Sequence, residues 1–284
     1  MRESSCPCVI CTDHPDARGG GVVDTVREHG WSALRIAGGW VEFAYTVGLW
    51  HTFRRPEIVM FGLDGESMQH WLNACVALGR DRGWPEPGEA FTGVLDGFAT
   101  QLRPVDDSWR DALFGTAHRF YGGVAMPVQQ LVWPDRDGRW PWDERATASS
   151  RNRQAHAWLP VSEHPAGAWR LVGELEPDFP FPVGPDSWAL TTTAVLDGVR
   201  PVARVGLDEG AYDVLDERGY DADDLRLAFL GDLVIRYPEL GACADLGEGQ
   251  VAITSDDRIW IRARLAEHER RESTRLWESL SQPG

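Results

Sequence analysis

The sequence predicts an α+β protein of two domains, each a small, mostly antiparallel sheet with one or two packed helices. Three observations lead there. At 284 residues the chain has room for two domains of ~150 residues each. Short alternating apolar runs are mixed with isolated helical periods along its whole length, which suits separate sheets rather than a doubly wound one. Near the middle, "ATASSRNRQAHAW" is polar and has no stable period, so it reads as a connection between domains. The expected limits are 1–145 for the first domain, 146–186 for a polar and Pro-rich linker, 187–263 for the second domain and 264–284 for a charged C-terminal helix.

The elements follow in order. Three cysteines crowd the N-terminus, and Gly19-Gly20-Gly21 reads as a joint behind them. Val22 to His29 is helical, with Val22, Val23 and Val26 on one side and Gly30 as its stop. "WSALRIAG" and "WVEFAYTVGLW" read as two strands about a Gly38-Gly39 hairpin turn. "PEIVMFGL" is a short buried strand. Asp64 is placed to cap a helix whose face carries Met68, Trp71, Leu72, Cys75 and Leu78. "FTGVLDGFATQLRPV" supplies strand, Ser108 to Phe114 a short helix, and "PVQQLVWPDRDGRWPWD" strand, turn and strand. After the linker, "WALTTTAVL", "PVARVGL" and "AYDVL" are strands. Leu225, Phe229, Leu233 and Tyr237 repeat at helical spacing in "DADDLRLAFLGDLVIRY". "GQVAITS" and "RIWIRA" form a closing hairpin over Asp256-Asp257, and Leu265 to Leu280 a charged helix.

Charge narrows the function classes. The formal net charge is −16, which repels phosphate backbones and disfavours nucleic acid as a partner. The same surface either serves solubility alone or suits a basic protein partner, since complementary charge steers encounter. No apolar run reaches the ~20 residues of a membrane span, and no secretory signal opens the chain. The expected location is therefore a reducing cytoplasm, where disulfides are rare. All 28 cations are arginine; the absence of lysine removes Schiff-base chemistry and the P-loop lysine. Such an Arg-, Ala- and Gly-rich, Lys-free composition resembles chains of GC-rich bacterial genomes.

The chemistry-bearing residues are few. "SSCPCVICTDH" holds Cys6, Cys8, Cys11 and His14, a Cys₃His set that zinc accepts. Only Cys8 and Cys11 have the usual two-residue spacing, and His29 or His51 are alternative fourth ligands. The competing readings are unligated thiols on a loose terminus, or a redox or iron–sulfur role. His51 follows a strand and, with Arg54, Arg55 and Glu57, forms a polar group that either handles an anion or a proton or is a solvated tip. His118 and Tyr121, three apart, are either catalytic or packed beneath aromatics. Asp135, Asp137 and Gly138 resemble part of a calcium loop but lack its glutamate, and read better as a tight turn. The weak catalytic candidates are thus His51, Glu57, His118 and Tyr121. No nucleophile elbow, Walker loop or HExxH occurs.

Two resemblances follow from longer motifs. The early Cys-x-x-Cys, "HGW", "FAYTVGLWHTF", "PEIVMFGL", "FYGG" and "QLVWPDRDGRWPW" make residues 6–143 resemble a bacterial family, domain of unknown function 4262. That family implies a domain boundary and no settled activity. "TTTAVLDGVRPVARV", "LGDLVIRYPEL" and "LGEGQVAITSDDRIWIR" make residues 188–262 similar to domain of unknown function 2185, grouped with immunity proteins of polymorphic toxin systems. That resemblance implies a compact partner-binding module. The expectation is a protein acting through protein–protein contact, immunity- or defence-like. The alternative is a metal-dependent (zinc or iron) or small-molecule enzyme, with its site near the thiols and the His51 loop.

Overall fold

In the computed structural model, residues 6–14, 21–36, 43–174, 179–220, 224–254, 259–270 and 275 are described. The turns expected at Gly38-Gly39 and Asp256-Asp257, the glycines 19 and 20, the start of the Pro-rich breaker at 176–178 and nearly all of the C-terminal helix beyond 270 lie outside them. The chain divides into two compact units, one of residues 1–165 and 173–175, the other of 166–172 and 176–284. Each is built on a six-stranded sheet that is mostly antiparallel, with a few helices, so the chain is α+β.

The first unit runs α1 (Gly21–His29), β1 (Ser32–Ile36), β2 (Phe43–Val47), α2 (Leu49–Phe53), β3 (Glu57–Phe61), α3 (Gly65–Arg82), β4 (Ala90–Leu95), β5 (Phe98–Pro104), α4 (Arg110–Leu113), α5 (Gly115–Phe120), β6 (Val128–Val132) and α6 (Ala148–Arg153). Its sheet has the order β1-β2-β3-β6-β5-β4, with β3 and β6 parallel and the other pairs antiparallel. β2 and β3 are buried at every residue, as central strands covered on both faces are. On one face α3 inserts Met68, Leu72, Cys75 and Val76 against Ala44, Ile58 and Met60. The Asp64 carboxylate accepts the Ser67 N–H at 2.9 Å and starts that helix as expected. On β2, Phe43 and Tyr45 build an aromatic layer, with Tyr45 edge-on to Phe114 at 5.5 Å.

Residues 146–165 carry more structure than a polar linker. α6 lies there, Ala155 and Ala157 are fully buried, and Gln154 exchanges hydrogen bonds with the backbone of Trp133. The turn after β6 forms around Asp135, whose carboxylate accepts the N–H groups of Asp137, Arg139 and Thr147. All three of these donors are backbone N–H groups, as the turn reading requires. The second strand expected after it does not form.

The second unit holds α7 (Ala168–Gly173, of which 168–172 belong here), β7 (Trp188–Thr192), α8 (Thr193–Leu196), β8 (Arg204–Asp208), β9 (Ala211–Leu215), β10 (Leu225–Phe229), α9 (Leu230–Arg236), β11 (Gln250–Thr254) and β12 (Trp260–Arg264). Its order is β10-β7-β9-β8-β11-β12, with β7 and β9 the parallel pair. Ala189, Val205, Tyr212, Val214, Leu230 and Leu233 lie in its core. The closing hairpin of β11 and β12 forms in antiparallel register.

One expectation fails here for a clear reason. The segment read as a single helix is β10 followed by α9. Residues four apart share a face in a strand as well as in a helix, so Leu225 and Phe229 fit both periods. Pairing with β7 decides for the strand.

Candidate metal centre

The site begins where β2 ends. The expected strand through Trp50 stops at Val47, because Gly48 turns to φ +109°. A side chain there would reach Val26 at 2.9 Å and the Gly30 carbonyl at 3.0 Å, so both conformation and space call for glycine. The chain then winds into α2, which carries His51. His51 is thus a helical residue fixed by the strand before it, not a loop tip.

Glu57 at the start of β3 holds that turn. Its buried carboxylate accepts the N–H groups of Gly48 (3.0 Å) and Trp50 (3.3 Å), the hydroxyl of Thr46 (2.7 Å) and the phenol of Tyr121. The Tyr121 oxygen in turn accepts the Gly48 N–H at 3.2 Å. Burial pushes the Glu57 carboxyl up, and the hydrogen bonds from Tyr121, Thr46 and the α2 amides pull it back. Burial and the neighbouring carboxylate push the Tyr121 phenol up, so it remains a donor.

The N-terminal segment packs on α5. Val9 is buried and its N–H donates to the Phe120 carbonyl at 2.9 Å. Residues 8–14 then fold into a tight turn, with the N–H and the hydroxyl of Thr12 both donating to the Cys8 carbonyl and the His14 N–H donating to that of Val9. The Cys11 N–H points at Cys8 Sγ, 3.4 Å away. This turn brings the three sulfurs to His51. Its Nδ1 lies 4.0, 3.2 and 3.3 Å from the Sγ atoms of Cys6, Cys8 and Cys11. All four candidate ligand atoms lie within 4.8 Å of one another. A tetrahedral zinc with Zn–S of about 2.3 Å and Zn–N of about 2.0 Å needs S···N edges of about 3.5 Å and S···S edges of about 3.8 Å. The observed S···N separations straddle the first value, so the four atoms lie close enough to bind a metal ion.

The fourth member of the cluster differs from the expected set. His51, 40 residues from Cys11 in sequence, takes the place assigned to His14; His14 is exposed and its backbone closes the turn. His29 is exposed too, beside Glu28. Burial first, and the Arg54 charge second, lower the His51 pKa and keep the imidazole neutral, the form that ligates. Cys6 and Cys8 are buried, and burial raises both thiol pKa values in the absence of a cation.

The remaining candidates sit apart from the sulfurs. His118 and Tyr121 line a small pocket together with Glu57, Phe114 and Met126. The sequence groups Glu57 with His51 and Tyr121 with His118; in the structure Tyr121 donates to Glu57. On the zinc reading proposed below, we expect Glu57→Gln to weaken zinc affinity by roughly 10-fold, the low end for outer-shell partners, because Glu57 holds the backbone of the His51 turn and not the His51 ring. The amide would set an N–H against one of the four donors now aimed at the carboxylate. Competition with a chromophoric chelator reads this; unchanged affinity would show that the bonds around Gly48 do not position His51.

The fold and site define an α+β domain with a Cys₃His cluster capable of holding a metal ion. Residues 25–147 match the model of a family described as "Domain of unknown function (DUF4262)". The match encloses His51, Glu57 and Tyr121 and begins after the three thiols, later than the resemblance expected from residue 6. No curated protein and no solved structure matches the chain. Nothing in these comparisons supports the resemblance expected for residues 188–262. No helix among the described residues is long and apolar enough to cross a membrane.

Proposed function

We propose that the chain is a zinc-clamped binding protein, in which zinc pins the N-terminal turn to α2 and the folded units engage a protein partner. One observation supports the zinc reading: three thiols and an imidazole, brought from positions 6–11 and 51, lie within 4.8 Å of one another, close enough for one ion. Four protein ligands leave no open position for substrate, which favours a structural ion over a catalytic one. Iron suits this set less well, since soft thiolates with one imidazole in a tetrahedron are characteristic of zinc.

Two features favour a protein partner. The charge of −16 steers basic partners toward the surface. Trp142, 40% exposed, stacks on Trp140 at 5.3 Å and lies under the Arg103 guanidinium at 4.2 Å. Trp and Arg are the residue types that anchor interfaces. The immunity-like role and the bacterial cytoplasm belong to this same proposal, through the resemblance of residues 188–262 and the Lys-free composition.

Elemental analysis of the chain purified without chelator is expected to give about one zinc per chain. Reciprocal pull-downs from the host are expected to recover one stoichiometric basic partner. Protein free of zinc and iron sinks the clamp, and recovery of the chain alone under several growth conditions sinks the binding role.

A further inference from the structure

We propose that Cys11 is a modification site: it is the sulfur of the cluster that reacts with hydroperoxides, and its oxidation onto Cys8 opens the clamp. This deepens the zinc reading above and rests on it. Accessibility singles out the sulfur. Cys6 and Cys8 are buried, whereas Cys11 is exposed, so an oxidant in solution meets one thiolate of the three. Both buried sulfurs lie within 4.8 Å of Cys11, and the local turn favours Cys8 as the resolving partner. Cys8 lies three residues before Cys11, its Sγ accepts the Cys11 N–H at 3.4 Å, and the turn that joins them is closed by Thr12. Cys75 and Cys243 are buried elsewhere, Cys75 in the α3 core and Cys243 in the core of the second unit.

The steps balance. The Cys11 thiolate attacks one oxygen of the hydroperoxide, the O–O bond breaks, and the alkoxide leaves with a proton as the alcohol. Cys11 is then a sulfenic acid. The Cys8 thiolate attacks that sulfur, an S–S bond forms, and hydroxide departs with a second proton as water. Two thiolates, one hydroperoxide and two protons thus give a disulfide, an alcohol and a water, with two electrons passed to the peroxide. Zinc keeps its oxidation state and loses two of its four ligands. Cys6 and His51 alone do not make a tetrahedral site, so the ion leaves. The N-terminal turn is then tied to the first unit by its backbone contact at Val9 and no longer to α2.

The test uses the full zinc-loaded chain, hydrogen peroxide and a chromophoric zinc indicator. The expected result is release of about one zinc per chain with loss of two titratable thiols. Peptide mapping should find a Cys8–Cys11 disulfide, and dithiothreitol with added zinc should reverse it. Dimedone added with the peroxide is expected to label Cys11. Zinc held through an excess of peroxide overturns the proposal and leaves the zinc reading standing. Label on Cys6 or Cys8 instead, or a disulfide that includes Cys6, also overturns it. A chain that carries no zinc from the start overturns the zinc reading, and the dimedone map still decides which sulfur reacts.

Discussion

Cys8→Ser is expected to abolish stoichiometric zinc binding and to destabilise the first unit by about 4 kcal/mol, the linkage value when free zinc stands near 1,000 times Kd. Cys8 is the most enclosed of the three thiols, lies 3.2 Å from His51 Nδ1, and accepts the Cys11 N–H. A serine oxygen is a poor soft ligand and reaches less far, so both the ion and the turn that presents Cys11 are lost. Thermal unfolding with zinc present and after chelation separates the effects: chelation should lower the melting temperature of the parent chain and leave the variant unmoved. Cys75→Ser, in the α3 core, should keep its zinc. A variant that still binds one zinc per chain would contradict the assignment.

The second large effect lies in the other unit. Asp213→Ala is expected to cost about 3 kcal/mol, the lower end of the range for breaking a buried ion pair. Asp213 is buried on β9; it accepts the Tyr220 hydroxyl at 2.5 Å and faces Arg204 Nε at 3.6 Å. The Arg204 guanidinium lies over the Tyr220 ring at 5.5 Å and reaches Glu269 at 2.8 Å. Gly206 makes room for this arrangement, since a Cβ there would come within 2.7 Å of both carboxylate oxygens. Burial pushes the Asp213 carboxyl up, while Tyr220 and Arg204 pull it down. Removing it leaves Arg204 enclosed with Glu269 as its remaining acid, which is why the lower end applies. Chemical denaturation followed by a probe in the second unit reads the loss; a change below about 0.5 kcal/mol would class the pair with ordinary surface ion pairs.

Much of the fold was legible because local signals and tertiary demands agreed. Asp64 caps α3, "EIVMF" is apolar enough for a central strand, and Val23 and Val26 bury one side of α1. Legibility failed where two periods coincide, as at Leu225 and Phe229, and where a glycine inside an apparent strand is a turn, as at Gly48. The site was half legible. Three clustered thiols are a metal-site signal in sequence, beside the readings of loose or redox-active thiols. The position of the fourth donor, His51, is set by α2, and α2 by Glu57, Tyr121 and Thr46. Those residues are separated from Gly48 or from one another by up to 73 positions. No spacing rule spans such distances, so proximity in sequence points to His14 rather than His51. The Arg204–Asp213–Tyr220 group was invisible for the same reason: strand register, not sequence spacing, sets Asp213 opposite Gly206.

A zinc ion held by Cys6, Cys8, Cys11 and His51 has a distinctive signature in X-ray absorption at the zinc edge. The expected spectrum shows three sulfurs at about 2.3 Å and one nitrogen at about 2.0 Å, with the nitrogen contribution lost or replaced by oxygen in His51→Ala and unchanged in His14→Ala. A shell with fewer than three sulfurs, or a nitrogen that disappears with His14 rather than His51, would contradict that ligand set.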